Sequence, residues 1–285
     1  MALEPILRQA VNDETVLARL RASLRVWSVK GSHIIGSYAR MANIEHPVEL
    51  TVLGCAFGRL YDDLLDEPGR PGAADLATSL FRGQGFVPED DYERLFQTLY
   101  LEIYRRLSRP PADPIHGALE RLHQYQLRSR HQYGDELPTA ELGELIREKG
   151  AHTLLVMFCL ARAGMCGAEQ ELVTDLGATL QLLDDYQDCV SDRARGISTL
   201  STRGTVTLLD IGHQILSMEP GFCRFYGPRR ARRFLSELFV FLGIALAARY
   251  RRPVPSPVRA GRGQPPLRVL IARGPHVDRS RAADA

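Results

Sequence analysis

ELVTDLGATLQLLDDYQDCVSD, running from Glu171 to Asp192, decides how the chain is read. Its apolar residues Leu172, Leu176, Leu180 and Leu183 recur at three- and four-residue spacing, the period of an α-helix, and share one broad face. Asp184, Asp188 and Asp192 then follow at intervals of four, with Asp185 beside the first. Like charges at that spacing repel by roughly 0.2 to 0.5 kcal/mol per pair, so stability alone does not select three carboxylates on one stripe. They extend an apolar surface instead of lying opposite it, which points to the mouth of a cavity.

Working outward, a second acidic cluster lies about 120 residues earlier. From Pro47 to Glu67 an apolar helical pattern (Val48, Leu50, Val52, Leu53, Ala56, Phe57, Leu60) ends in Tyr61-Asp62-Asp63-Leu64-Leu65-Asp66-Glu67. Acids crowd the last turn, where a helix already carries partial negative charge. One such cluster reads most simply as a solvated helix end. Two in one chain point to a paired device, because Mg²⁺ is held by one or two carboxylates plus phosphate oxygens and water. Ions held from both sides would clamp a diphosphate and neutralise it as a leaving group, so that a carbon–oxygen bond ionises without a protein nucleophile.

The rest of the chain supplies a frame for these clusters. With 285 residues, 45% apolar and 25% charged, it can bury the core of one large domain. Leu, Ala, Arg and Glu recur at helical spacing while Val/Ile/Thr alternation is scarce, so the expected fold class is all-α, a single-domain antiparallel helical bundle. The pattern predicts helices over 3–12, 15–42, 46–66, 72–82, 89–107, 114–134, 139–164, 168–193, 205–218 and 228–250, separated by Pro and Gly. Gly196 is the expected stop after the second cluster. The domain is placed at 1–250, and 251–285, rich in Pro and Arg and without apolar periodicity, is expected to be a mobile tail.

Several classes are disfavoured. Five cysteines with no Cys-x-x-Cys pair suggest neither a disulfide framework nor a zinc site. The N-terminus lacks the basic start and apolar stretch of a signal peptide, and no run of 18 apolar residues occurs, so a cytoplasmic protein without a transmembrane segment is expected. The net charge of +2 hides a basic end: from Arg224 onward 14 Arg face Glu237, Asp278 and Asp284. That asymmetry reads as a solvated tail, and without a nucleic-acid motif no nucleic-acid partner is expected. A homodimer is left open.

DDLLD at 62–66 resembles the first aspartate-rich motif of trans-prenyl diphosphate synthases and class I terpene synthases, and LGATLQLLDDYQD at 176–188 is similar to the second-motif helix of the prenyl synthases. Order and separation fit as well, and the resemblance to the class I isoprenoid synthase superfamily spans roughly residues 20–250. It implies Mg²⁺, three ions in number, on Asp62, Asp66, Asp184, Asp188 and Asp192, with Asp62, Asp63, Asp66 and Lys149 as the catalytic set and a prenyl diphosphate as substrate. The i, i+4, i+8 spacing of Asp184, Asp188 and Asp192 also resembles the metal-binding triad of terpene cyclases, which Asp188 and Asp192 depart from in residue type.

Lys149, in Arg147-Glu148-Lys149-Gly150, is placed like the diphosphate-binding lysine of that family; the plainer reading is an exposed salt-bridged turn with Glu148. Arg193 and Arg195 are candidates for a lid on the diphosphate, or surface charge. Phe57, Gly58 and Phe158 are candidates for the cavity wall, where an aromatic face would stabilise a carbocation, although core packing explains the two phenylalanines equally well. Gln126, Ser129 and Gln132 could point into the bundle at helical spacing, but a polar outer face is the expectation.

Three functions follow from the resemblance. The first is a terpene synthase, a carbon–oxygen lyase that ionises a prenyl diphosphate and cyclises or rearranges the cation. The second is a chain-elongating trans-prenyl diphosphate synthase, and the third a non-catalytic helical binding protein. Elongation needs a second basic site. Where prenyl synthases carry paired bases, this chain has only Lys30 and Arg70, which favours the cyclase.

Overall fold

Helix starts are fixed by side chains that satisfy the free N–H groups of a first turn. Asp13 accepts from the backbone N–H of Thr15 and Val16 at 2.7 and 3.0 Å and opens α2 (Glu14–Ala42), which follows α1 (Leu3–Ala10). Asp90 opens α5 (Asp91–Leu107) in the same way. Asp113, followed by Pro114 in the first turn, opens α6 (Pro114–Arg128). The other oxygen of Asp113 accepts from the Gly164 N–H at 3.1 Å, which ties the start of α6 to the end of α7 (Thr139–Ala161). A capping box of Thr207 and Asp210 begins α9 (Leu208–Ser217).

These elements belong to a computed structural model that describes residues 2–65, 72–133 and 137–251. The remaining helices are α3 (Val48–Leu65), α4 (Ala73–Phe81), α8 (Gly167–Arg195), α10 (Glu219–Tyr226) and α11 (Pro228–Arg251). A 3₁₀ turn over Ser129–Gln132 continues α6, and no strand occurs among the described residues. The all-α expectation holds, and the observed bounds follow the predicted ones closely. Gly196, at φ 69°, ends α8 as expected. One helix, α10, was not predicted. Residues Met1–Ala247 form one compact unit and Ala248–Ala285 a second; past Arg251 the expected tail lies outside the described residues.

Close helix approach is achieved where side chains vanish. The Cβ that an alanine at Gly54 would add lies 2.2 Å from Leu160 Cδ1, so α3 sits hard against α7. Across α7 and α8 the match is glycine on glycine, Gly150 against Gly177. Around these seams lie two apolar clusters. One gathers α1, α3, α4 and α5 about Leu53, Phe57, Leu60 and Phe96; the other gathers α7, α8 and the C-terminal helices about Phe158, Leu176, Ile211 and Phe234. No helix among the described residues is long and apolar enough to cross a membrane.

Candidate functional site

The glycine seam sets α7 and α8 in a fixed register. A methyl group on Gly150 would fall 2.4 Å from Gln181 Cβ, so Lys149, the preceding residue, stands beside the stretch of α8 that carries Asp184 and Asp185. Asp185 is buried; its Oδ1 accepts from Gln181 Nε2 at 2.9 Å, while its Oδ2 is buried with no hydrogen-bond partner. Burial pushes its carboxyl up to about 7, with Asp184 and Asp192 adding to the rise and Gln181 and Lys149 opposing it.

Asp184 is in a different situation. Its side chain is accessible to water, yet burial is the first cause that pushes its carboxyl up to about 6, followed by repulsion from Asp188. Three cations pull in the other direction: Lys149 from α7, Lys30 from α2 and Arg59 from α3. Charged residues of four helices therefore lie within electrostatic reach of Asp184.

Arg59 connects the two acidic rows. It belongs to the helix that carries the first cluster, its Nη2 lies 2.5 Å from Asp63 Oδ1, and its charge favours the ionised form of Asp184. At about 100° per residue, Asp62 lies about 60° to one side of Arg59 around the helix and Asp63 about 40° to the other. Asp62 and Asp63 are both half-buried. Gly58, one turn before Asp62, has nothing within 4 Å of where a Cβ would sit, so this part of α3 borders open space. Asp66 and Arg70 lie outside the described residues.

Other candidates sit elsewhere. Asp192 is buried on the face of Asp185, seven residues away, and not on the accessible stripe of Asp184 and Asp188. Arg193 donates from Nε and Nη2 to the Thr202 carbonyl at 3.2 and 2.9 Å, and Arg195 donates to the Tyr133 hydroxyl at 3.2 Å. Both guanidinium groups brace the connection after α8. Phe158 is fully buried and stacks on Tyr38 with ring centroids 4.0 Å apart; Phe57 packs among Tyr61, Phe81, Phe96 and Tyr100. The two rings serve the apolar cores.

Gln126, Ser129 and Gln132, expected on an outer face, are buried instead. Their polar groups are met inside: Ser129 donates to the Gln126 carbonyl, and Gln132 exchanges backbone and side-chain hydrogen bonds with Ser198 across the connection that follows α8. Glu148 lies 3.3 Å from His152 Nε2 one turn along α7, and burial lowers the pKa of that imidazole.

The residues fit a hard divalent cation of the kind that keeps part of its water. Among the described residues no group of three or more His, Cys, Asp or Glu forms a ready cage. The interior offers carboxylate pairs, chiefly Asp184 with Asp188, whose mutual repulsion a cation would relieve, and pairs suit Mg²⁺ completed by phosphate oxygens. Lys30, Arg59 and Lys149 are the cations within electrostatic reach of this pair's Asp184. Sequence reading had noted Lys30 only as a remnant and missed Arg59. Its signal was the four-residue spacing to Asp63, which looks like an ordinary surface pair. No protein-family model, curated protein or solved structure matches the chain.

Proposed function

We propose that this protein is a class I terpene synthase, which ionises a prenyl diphosphate and turns the allylic cation into a cyclic or rearranged product. What supports the reading is that Arg59, one turn before Asp62 on α3, is near enough to Asp184 on α8 to favour its charged form, so the two aspartate-rich helices come within electrostatic reach of each other. Asp62, Asp184 and Asp188, together with Asp66, are the residues that would hold Mg²⁺. When bound, the metal supplies positive charge that neutralises the departing diphosphate.

The chain's own residues do the rest. Lys149, Lys30 and Arg59 orient the diphosphate oxygens with charge-assisted hydrogen bonds, which count for more in an enclosed space than on a surface. Asp63 holds the Arg59 guanidinium in place. Open space beside Gly58 is where the hydrocarbon chain would lie. The three bases converge on one carboxylate row, which supports one diphosphate site and favours cyclisation over elongation.

Purified protein with Mg²⁺ and C10, C15 or C20 allylic diphosphates, with and without isopentenyl diphosphate, tests the reading. Hydrocarbon or alcohol from the allylic substrate alone is expected. Longer diphosphates formed only with both substrates would make it an elongating synthase, and no turnover of any of them would end the enzymatic reading.

A further inference from the structure

The outward side of α11 is open to solvent where the helix is most apolar. At about 100° per residue, Arg229, Arg233, Val240 and Ile244 fall within about 60° of one another around the helix. Ala231, Phe234, Leu238 and Leu242, on the opposite side, are buried in the core. Val240 and Ile244 are nonetheless 61% and 58% exposed, so the C-terminal half of α11 is apolar on its inner and its outer side. A helix of that kind is normally covered on both.

Beside it, α2 continues the same surface. Ser37 donates to Glu237, Arg40 Nη2 lies 2.9 Å from the same carboxylate, and the rings of His33 and Phe241 meet edge-on with centroids 5.9 Å apart, so the two helices run antiparallel. One turn further, that register sets Ile244 level with Val29, and Val29 and Val26 are 64% and 54% exposed. The joint surface is therefore apolar at one end and cationic at the other, where Arg40, Arg229, Arg230 and Arg233 are all exposed. Glu237, which Arg40 and Arg233 share, is the only acid in α11, and Glu14, at the far end, is the only one in α2.

That charge pattern selects the occupant. A second copy seated on the same face would bring like arginines together, with no acid there but a carboxylate already engaged. An anionic lipid surface satisfies both ends: the apolar side chains enter the acyl boundary, while the guanidinium groups, about 10 to 20 Å along the helix, reach headgroup phosphates. We propose that the α2–α11 face docks the protein peripherally on an anionic bilayer, with Val26, Val29, Val240 and Ile244 inserted and Arg229, Arg230 and Arg233 on the headgroups. This attachment goes beyond the proposed function and does not depend on it.

Co-sedimentation of the full chain with vesicles tests the docking. Vesicles of phosphatidylcholine mixed with phosphatidylglycerol should hold the protein at low salt, and phosphatidylcholine alone should hold it at least about tenfold more weakly. V240S/I244S and R229Q/R233Q should each weaken binding to the anionic vesicles by about tenfold, with circular dichroism unchanged. Both pairs alter exposed side chains, and R229Q/R233Q still tests the face if V240S/I244S unfolds.

The Arg-rich residues after Arg251 stay intact in both variants, so wild-type binding by both would assign the lipid contact to that segment and overturn the proposal. No vesicle binding by the wild type, or equal binding to neutral and anionic vesicles, would overturn it too. A dimer in light scattering that V240S/I244S abolishes, in a protein that ignores vesicles, would give the face to a second copy instead.

Discussion

Gly150 and Gly177 meet across the seam between α7 and α8 so closely that a methyl group on either would lie 2.5 Å from the carbonyl oxygen of the other. Backbone cannot step aside as a flexible side chain can. G177A, whose Cβ would also fall 2.8 Å from Leu154 Cβ, is expected to lower stability by about 1 to 3 kcal/mol, read as a fall in urea midpoint. Because the seam sets Lys149 beside Asp184, kcat should fall more than the loss of folded protein explains. A G177A protein with wild-type midpoint would mean that the helices part without cost.

Glu169 is fully buried in α8 and accepts hydrogen bonds from the Tyr38 and Tyr226 hydroxyls at 2.8 and 2.7 Å, while Arg162 Nε lies 2.7 Å from its other oxygen. This network joins α2, α8 and α10 at a point remote from the aspartate rows in sequence. E169A leaves two phenols and a guanidinium without their acceptor and is expected to cost about 3 kcal/mol or more, whereas Y226F should cost about 1. Chemical denaturation of both variants checks the order. A larger loss for Y226F than for E169A would reverse the account.

The helices were readable because stops and periods coincide: Pro114 and Gly196 sit at element ends, and the leucines of Glu171 to Asp192 keep one face. The missed helix, α10, begins with Pro220 and Gly221, which punctuate a sequence but here occupy a first turn and a close contact, Gly221 against Leu172. The acidic rows were visible as repeated spacing, yet their surroundings were not. Whether Asp192 shares the stripe of Asp184 depends on α8 as a whole: eight residues turn the helix about 80° past alignment, and seven return it within about 20°. Gln126 and Gln132 looked like outer residues because polarity alone does not reveal a buried partner such as Ser198. Arg59 was hidden because its influence on Asp184 is a long-range relation that no local pattern carries.

Removing charge from the interior should separate binding from folding. D184N and D62N each delete one carboxylate from the proposed metal-holding rows while keeping side-chain size, so far-ultraviolet circular dichroism should match wild type. Turnover of an allylic diphosphate should fall by about a hundredfold or more in each, in keeping with a lost electrostatic contact to the developing leaving group. D192N, on the buried face with Asp185, should lose far less in kcat, about tenfold at most. Equal losses for D184N and D192N would place both residues on one working surface and undo the distinction drawn from their burial.

Stability should depend on pH in a direction set by Asp184 and Asp185. Both carboxyls hold their protons more tightly in the folded protein, at about 6 and about 7, than at the ordinary value of 3.8. Between about pH 4 and pH 7 the folded state therefore binds more protons than the unfolded one, and stability falls as pH rises through that window and levels off above it. The measurement is a series of urea midpoints in the presence of a chelator, since a bound cation would oppose the effect. D185N removes the titrating group and keeps an oxygen for Gln181 Nε2, so its profile should be flatter than that of wild type. Above pH 7 the variant should be the more stable by at least about 1 kcal/mol, with no advantage near pH 4. Wild-type and D185N profiles that run parallel across the whole window would show that the buried carboxylate is not held at a cost, and the case for a strained acidic wall beside Lys149 would fall with it.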